Sequence, residues 1–382
     1  MLAIKNGKFI VPNEAGDFVL REGMALICED EKIKGFVAEQ DIPAAAELMD
    51  AQGNYVAPGF INVHIHGCAG ADTMDGTCTA LAKMAELQAK TGVTAFLPTT
   101  MTCKWSEVEQ ALLAVKETMI SHPAGAKVLG AHMEGPFISP AKKGAQAEEN
   151  IRQADYNLVK PWEDVVKIIT LAPEELPDYE FVDKCHQAGI TVSIGHTAAD
   201  YDTAVRAVNE HGIHHFTHVY NAMTGFAHRS PGVVGAAFDT LANCEIIADN
   251  VHSHPAAQRL LYHAKRGKHI VLITDSLRAC GLGDGPSELG GQEVFVKGEL
   301  ATLADGTIAG SVATMNRCVK IFWENTGAEL PQIIEMVTKI PAEELACYEE
   351  RGSLTAGKQA DVVIFDHAVN IQRVIINGKK YL

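Results

Sequence analysis

The chain has 382 residues, 47% of them apolar, enough to bury a large core. Its formal net charge of −16 excludes the broad positive field that nucleic-acid or anionic-membrane surfaces require, although a few local cations can still hold a small anionic substrate. Nine cysteines stand singly with no C-x-x-C pair, which predicts reduced thiols and a cytoplasmic setting rather than a disulfide framework.

The opening MLAIKNGKFIVP has no basic stretch leading into an apolar run, so no secretory signal is expected. No apolar run approaches the roughly 18 residues of a membrane span. Residues 1–54 read as short strands broken by Asn-Gly, Glu-Gly and charged turns, and residues 353–382 (GSLTAGKQADVVIFD, IQRVIINGKKYL) read the same way. Neither end can enclose a core alone, so the two are expected to form one small β-sandwich. Residues 55–352 then form the inserted catalytic domain.

In that middle stretch eight buried-strand runs recur: 55–67, 93–100, 127–136, 165–174, 190–197, 214–223, 242–252 and 269–276. Amphipathic helical segments such as CTALAKMAELQAKTG and DTAVRAVNEHG separate most of them. Apolar strands alternating with helices predict an α/β fold, a closed (β/α)8 TIM-type barrel. No G-x-G-x-x-G or G-x-x-x-x-G-K-[ST] follows a strand, which leaves a nucleotide-binding sheet without its fingerprint. The Gly-rich GLGDGPSELGG (281–291) reads as a surface excursion.

Polar residues of metal-ligand type fall at the ends of these strands: His64 and His66 on the first, Glu134 on the third, His196 on the fifth, His218 on the sixth and Asp275 on the eighth. In a barrel those ends converge on one face. Any one of them alone is explained by a helix cap or a structural hydrogen bond. Six together, unpaired, would each carry a desolvation cost on the order of a few kcal/mol, which a divalent cation removes for all of them. Imidazole and carboxylate without thiolate suit Zn, Fe, Mn or Co. Such a cation lowers the pKa of bound water towards about 7 and polarises a carbonyl, which is hydrolytic chemistry. Asp275, closing a strongly apolar strand, is the expected general acid/base. Asn221, Arg229 and His252 follow the sixth and seventh strands and suit a substrate, with Arg229, His252 and backbone N–H groups fit to hold a phosphate.

The motifs APGFINVHIHG, GAHMEGPFISP, KKGAQ, SIGHT, THVYNAM, RSPGVVG, IIADNVHSH, ITDSLRACGL and GSLTAGKQADVVIFD run over nearly the whole chain. They resemble the amidohydrolase superfamily and, within it, the N-acetylglucosamine-6-phosphate deacetylase family. The resemblance implies a barrel plus a β-sandwich from both termini, and removal of acetate from the 2-acetamido group of a sugar phosphate in amino-sugar metabolism. It implies Glu134, His196 and His218 as the main metal ligands and Asp275 as acid/base. His64 and His66 would serve a second metal bridged by Glu134, giving one or two metals per subunit. It also implies substrate contacts at Ala145, Asn221, Ala222, Arg229, His252, Ala313, Thr314 and Met315. A homodimer follows, with the phosphate arginine supplied by either subunit. Gln146 stands where other members carry His, and Cys68 and Cys280 are expected to be bystanders. On the residues alone, a cyclic amide or an N-acyl amino acid remains open as substrate, and so does the galactosamine epimer.

Overall fold

A computed structural model describes all residues, Met1 to Leu382. Eight parallel strands form the central barrel: β1 (Phe60–Ile65), β2 (Val93–Thr100), β3 (Ala131–Glu134), β4 (Val166–Leu171), β5 (Thr191–Ile194), β6 (His215–Phe216), β7 (Asn243–Ile247) and β8 (Ile270–Ile273). Each pairs with the next in chain order from β1 to β8. Every residue of β1 and β2 is buried, which is why these runs are apolar without alternation.

The ring closes between β8 and β1 through main-chain bonds just beyond the strands. Asp275 N–H donates to the His64 carbonyl at 3.0 Å, and His66 and Gly67 N–H donate to the Ser276 carbonyl at 3.0 and 2.8 Å. At the other end of the same seam the carbonyls of Met336 and Val337 accept from Leu272 and Ile61. A segment between two C-terminal helices therefore completes the seam where the two strands part.

The helices carry the apolar stripe that their spacing predicts. Helix Cys78–Lys90 buries Ala80, Leu81, Met84, Ala85, Gln88 and Ala89, a repeat of three to four residues. Helix Tyr201–His211 starts on Asp200, whose carboxylate accepts from Thr203 N–H. It ends on Gly212 at φ 69°, a left-handed cap that glycine adopts without strain.

The two ends of the chain build two further sheets. One has the order Lys32–Ala38, Met24–Glu29, Leu2–Lys5, Glu47–Asp50. The other runs Lys379–Lys380, Ile371–Ile376, Val362–Phe365, Tyr55–Pro58, Lys8–Pro12, Phe18–Arg21. Ile4, Phe9, Leu26, Val56, Val362 and Ile364 from both sheets share one apolar cluster separate from the barrel core.

Several strand boundaries differ from expectation, each for a local reason. The run 55–67 is two strands, because Tyr55–Pro58 belongs to the six-stranded terminal sheet and β1 starts only at Phe60. The run 127–136 breaks at Gly130, φ 152°, into Lys127–Val128 and β3. The run 214–223 keeps only His215–Phe216 as strand, since His218, Tyr220 and Ala222 all turn to positive φ. The expected loop 281–291 instead enters a three-stranded antiparallel sheet, Gly285–Leu289, Gln292–Lys297 and Leu300–Thr302.

Candidate metal centre

The six predicted residues meet at the C-terminal end of the barrel. Glu134 is the last residue of β3, and its Oε1 lies 3.0 Å from His218 Nε2 and 3.2 Å from His196 Nε2. Its Oε2 lies 3.2 Å from His66 Nε2. Asp275 Oδ1 approaches His66 Nε2 at 3.3 Å and His64 Nε2 at 3.5 Å. His64 Nε2 is also 3.5 Å from Glu134 Oε1. The ligand atoms fall into two groups, His64–His66–Asp275 and Glu134–His196–His218, each within a span of 4.8 Å, with the Glu134 carboxylate between them.

The rings are turned inward by what holds their outer nitrogens. His64 Nδ1 meets Glu245 Oε2 at 2.9 Å, His66 Nδ1 the Thr99 carbonyl at 3.2 Å, and His196 Nδ1 the Lys142 carbonyl at 3.1 Å. Acceptors at Nδ1 place the proton there and leave the Nε2 lone pair facing the centre, the tautomer a metal ligand needs. Three of the six have left-handed backbones: His196 φ 41°, His218 φ 30° and Asp275 φ 48°. For residues other than glycine this costs about 1–3 kcal/mol each. The strain is held by bonds to the main chain of each: His196 C=O accepts from Ser139 N–H, His218 N–H donates to the Glu245 carboxylate, and Asp275 C=O accepts from Ser311 N–H.

The carboxylates and imidazoles of this centre set one another's charge. Burial opposes protonation of His66, but Asp275 and Glu134 outweigh it and raise its pKa well above the usual imidazole range. Burial opposes charge on His218 as well, yet Glu134 raises it to about 9. Burial favours the neutral acid at Glu134 and Asp275, and the surrounding histidines nevertheless hold both carboxyls below their usual range. The buried carboxylates therefore favour positive charge there, as protons or as a metal.

A metal fits the donor set. His64 Nε2 is fully buried with no hydrogen-bond partner, and the Nε2 atoms of His196 and His218 converge to 3.2 Å beside the Glu134 carboxylate. Nitrogen and oxygen donors without thiolate match zinc, iron, manganese or cobalt. Cys68 and Cys280 are buried nearby, but their thiols point to the Met84 and Ala313 carbonyls, and neither belongs to a ligand group.

Above the centre a cavity of about 230 Å³ opens to solvent. His66, Glu134, His196, His218 and Asp275 line it, together with Ala145, Asn221, Ala222 and His252. His64 lies beneath, wholly buried. His252 is anchored by Asp249, whose carboxylate accepts from its backbone N–H at 2.8 Å and meets Nδ1 at 2.7 Å. A larger cleft of about 440 Å³ lies elsewhere, lined by Lys127, Lys379 and Lys380, and contains none of the ligand groups.

Four expected substrate positions are not brought to this cavity. Arg229 is exposed in the turn closed by Ala227 and Ser230. Ala313 and Met315 are packed into the barrel core, and Thr314 occupies the N-cap of helix Met315–Thr326. Conversely, Leu289, Thr307 and Ile308 from the three-stranded excursion and its return do line the cavity, and Gln292 donates to the Ala145 carbonyl at 2.6 Å. Gln146 spans Glu134 and the chain behind it, donating to Oε2 at 2.6 Å and accepting from Thr102 N–H at 2.7 Å.

Sequence reasoning missed a buried polar network under the centre. Glu245 on β7 meets His64 of β1 and His215 Nε2 of β6, and His215 Nδ1 reaches Glu344 at 3.4 Å. His132 of β3 stacks edge-on against His64, with ring centroids 4.5 Å apart. Strands β1, β3 and β7 are not neighbours, so these contacts run through the barrel interior. Burial pushes His132 down to about 3, so it stays neutral, with Nε2 on the Thr170 hydroxyl and Nδ1 on the Val63 carbonyl. Its nitrogens and His64 Nδ1 are thus occupied by hydrogen bonds, which makes the His64–His132–Glu245 group a support rather than a further ion site.

A parallel barrel with buried imidazoles and carboxylates at its C-terminal mouth defines a hydrolase class that works through bound divalent metal. Residues 55–381 match the model of the amidohydrolase family, and the chain belongs to that family. It is 39% identical to an N-acetylglucosamine-6-phosphate deacetylase of Bacillus subtilis (strain 168), over 94% of this chain and 96% of the relative. It is 35% identical to an N-acetylgalactosamine-6-phosphate deacetylase of Escherichia coli O157:H7, over 90% and 91% of the two chains. The crystal structure of an N-acetylglucosamine-6-phosphate deacetylase from Pasteurella multocida superposes with a TM-score of 0.93 at 30% identity, covering 99% of each chain.

Proposed function

We propose that this chain hydrolyses the linear amide of N-acetyl-D-glucosamine 6-phosphate, releasing acetate and D-glucosamine 6-phosphate in amino-sugar catabolism. The observation that carries the reading is the carboxylate of Glu134 set among four inward-facing Nε2 atoms, with Asp275 at the edge of an open cavity.

Glu134, His196 and His218 would hold one divalent metal, and His64 and His66, with Glu134 shared, a second. Such a metal supplies Lewis acidity, activating water and polarising the acetamide carbonyl. Asp275, kept ionised by the neighbouring histidines, accepts the proton of the attacking water and returns it to the departing amine nitrogen. Asn221 and the main chain around Ala145 and Ala222 border the space where the acetamide would lie. His252, fixed by Asp249, would bind the 6-phosphate, whose remote binding energy orients the reacting amide.

Arg229 is exposed and does not line its own cavity, which favours a homodimer in which it reaches the neighbouring subunit's phosphate. A small sugar phosphate is the partner, in the cytoplasm, with no role for nucleic acid. No helix is long and apolar enough to cross a membrane.

The test is acetate release from N-acetylglucosamine with and without its 6-phosphate, after chelation and re-addition of single metals. Rapid turnover of the phosphate alone, dependent on metal, is expected. Equal rates on both sugars would sink the phosphate assignment. The likeness to a galactosamine enzyme favours a second reading, the galactosamine 6-phosphate epimer, and a higher kcat/KM for that epimer would replace the first.

A further inference from the structure

Glu245 touches neither the cavity nor Glu134 or Asp275, yet one carboxylate reaches ligands of both groups. Its Oε2 accepts from His64 Nδ1–H at 2.9 Å and from the backbone N–H of His218 at 3.1 Å. Its Oε1 meets His215 Nε2 at 3.1 Å, and that ring is braced in turn by Glu344. The side chain is wholly buried on β7, where a carboxylate is tolerated only when donors such as these surround it.

The two bonds at Oε2 do different things. One sets the ring orientation of His64, which belongs to the His64–His66–Asp275 group. The other fixes the main chain of His218, at φ 30°, so that its ring reaches Glu134 and His196 in the second group. His218 Nδ1 has no partner of its own, so the backbone bond is what holds this ligand in place from behind. We propose that Glu245 is a positioning residue that sets both metal subsites at once, by clamping the side chain of one ligand and the backbone of another. Glutamine cannot reproduce it: its one oxygen can face the His64 and His218 donors only by turning an NH2 donor against His215 Nε2–H, and the negative charge that holds both rings is lost. Aspartate keeps the charge but, one methylene shorter, reaches only part of the set.

The proposal rests on the metal-centre reading, and its deciding test is direct metal binding, read apart from turnover. Metal-free wild type, E245Q and E245D are titrated with cobalt(II), following the visible absorption of the bound ion and the metal-to-protein ratio. Each binding step seen in the wild type is expected to weaken about 10- to 100-fold in E245Q, with an altered cobalt spectrum and partial recovery in E245D. At saturating metal, kcat should fall while KM stays near its original value, because Glu245 does not touch the cavity. Binding steps and spectra in E245Q within twofold of wild type would overturn the proposal. So would failure of both variants to fold without metal, which would make Glu245 a determinant of the fold instead. Wild type that binds no cobalt at all would defeat the metal centre itself, a result separable from a failure confined to Glu245.

Discussion

At the scale of single residues, Asp275 and His215 show how burial and charge are balanced in opposite directions. Asp275 is buried but held ionised, with its carboxylate at the cavity floor. Replacing it with Asn keeps the shape and removes the proton acceptor. D275N is expected to lower kcat by about 10²–10⁴-fold, and a metal analysis alongside the assay separates lost proton transfer from lost metal. His215 is wholly buried; burial disfavours its charge, yet Glu344 and Glu245 raise its pKa from 6.5 to about 10. A raised pKa means that the folded state holds the proton more tightly than the unfolded one. The stabilisation is full below about pH 6.5 and is lost as pH rises towards about 10. His218 shifts the same way, to about 9. Thermal melting of metal-free protein should therefore fall between pH 7 and 10, and less steeply in H215Q. Parallel curves for the two proteins would contradict this assignment.

The six site residues could be read from the sequence because each is a ligand-type residue where an apolar strand gives out. Glu245, His215, His132 and Glu344 could not be, since their meaning lies in contacts between strands that are not adjacent. One signal was available: Glu245 interrupts the apolar run CEII, and a charge within a fully buried strand needs a partner.

At the scale of elements, periodicity located the barrel strands and their helices but not where each strand stops. The strand ends are decided by left-handed residues such as His218 and Asp275, whose conformation is imposed by tertiary bonds to Glu245 and Ser311. The excursion after β8 is the clearest departure. Its Gly-rich opening reads as loop, yet Gly285–Leu289 pairs antiparallel with Gln292–Lys297 and brings Leu289 to the cavity wall. Its one side-chain tie to the opposite wall is Gln292 to the Ala145 carbonyl. Removing that bond in Q292A should cost about 0.5–1.5 kcal/mol of substrate binding, roughly a two- to tenfold rise in KM with kcat nearly constant. Unchanged Michaelis parameters would show that this sheet does not shape the site.

At the scale of the whole molecule, the last thirty residues complete a six-stranded sheet begun by the first sixty. Val362–Phe365 lies between Tyr55–Pro58 and Ile371–Ile376, and supplies Val362 and Ile364 to the sandwich core. Deleting residues 353–382 would bare one edge of Tyr55–Pro58, just ahead of β1, and open that core. The truncated chain is expected to be insoluble or unfolded by circular dichroism. A soluble, cooperatively melting 1–352 fragment would show instead that the barrel folds without this support.

The sequence by itself determined the strand–helix alternation, the β-rich ends and the residue types gathered in the candidate metal centre, because period, turn residues and side-chain type are local properties. Tertiary structure alone decided that Tyr55–Pro58 belongs to the terminal sheet and that Arg229 and Met315 lie away from the cavity. It also decided that a buried carboxylate on β7 holds ligands from β1 and from the turn after β6. Those outcomes depend on which distant segments share a sheet or face each other across the barrel, and the energies of such pairings are not encoded in any one stretch of chain.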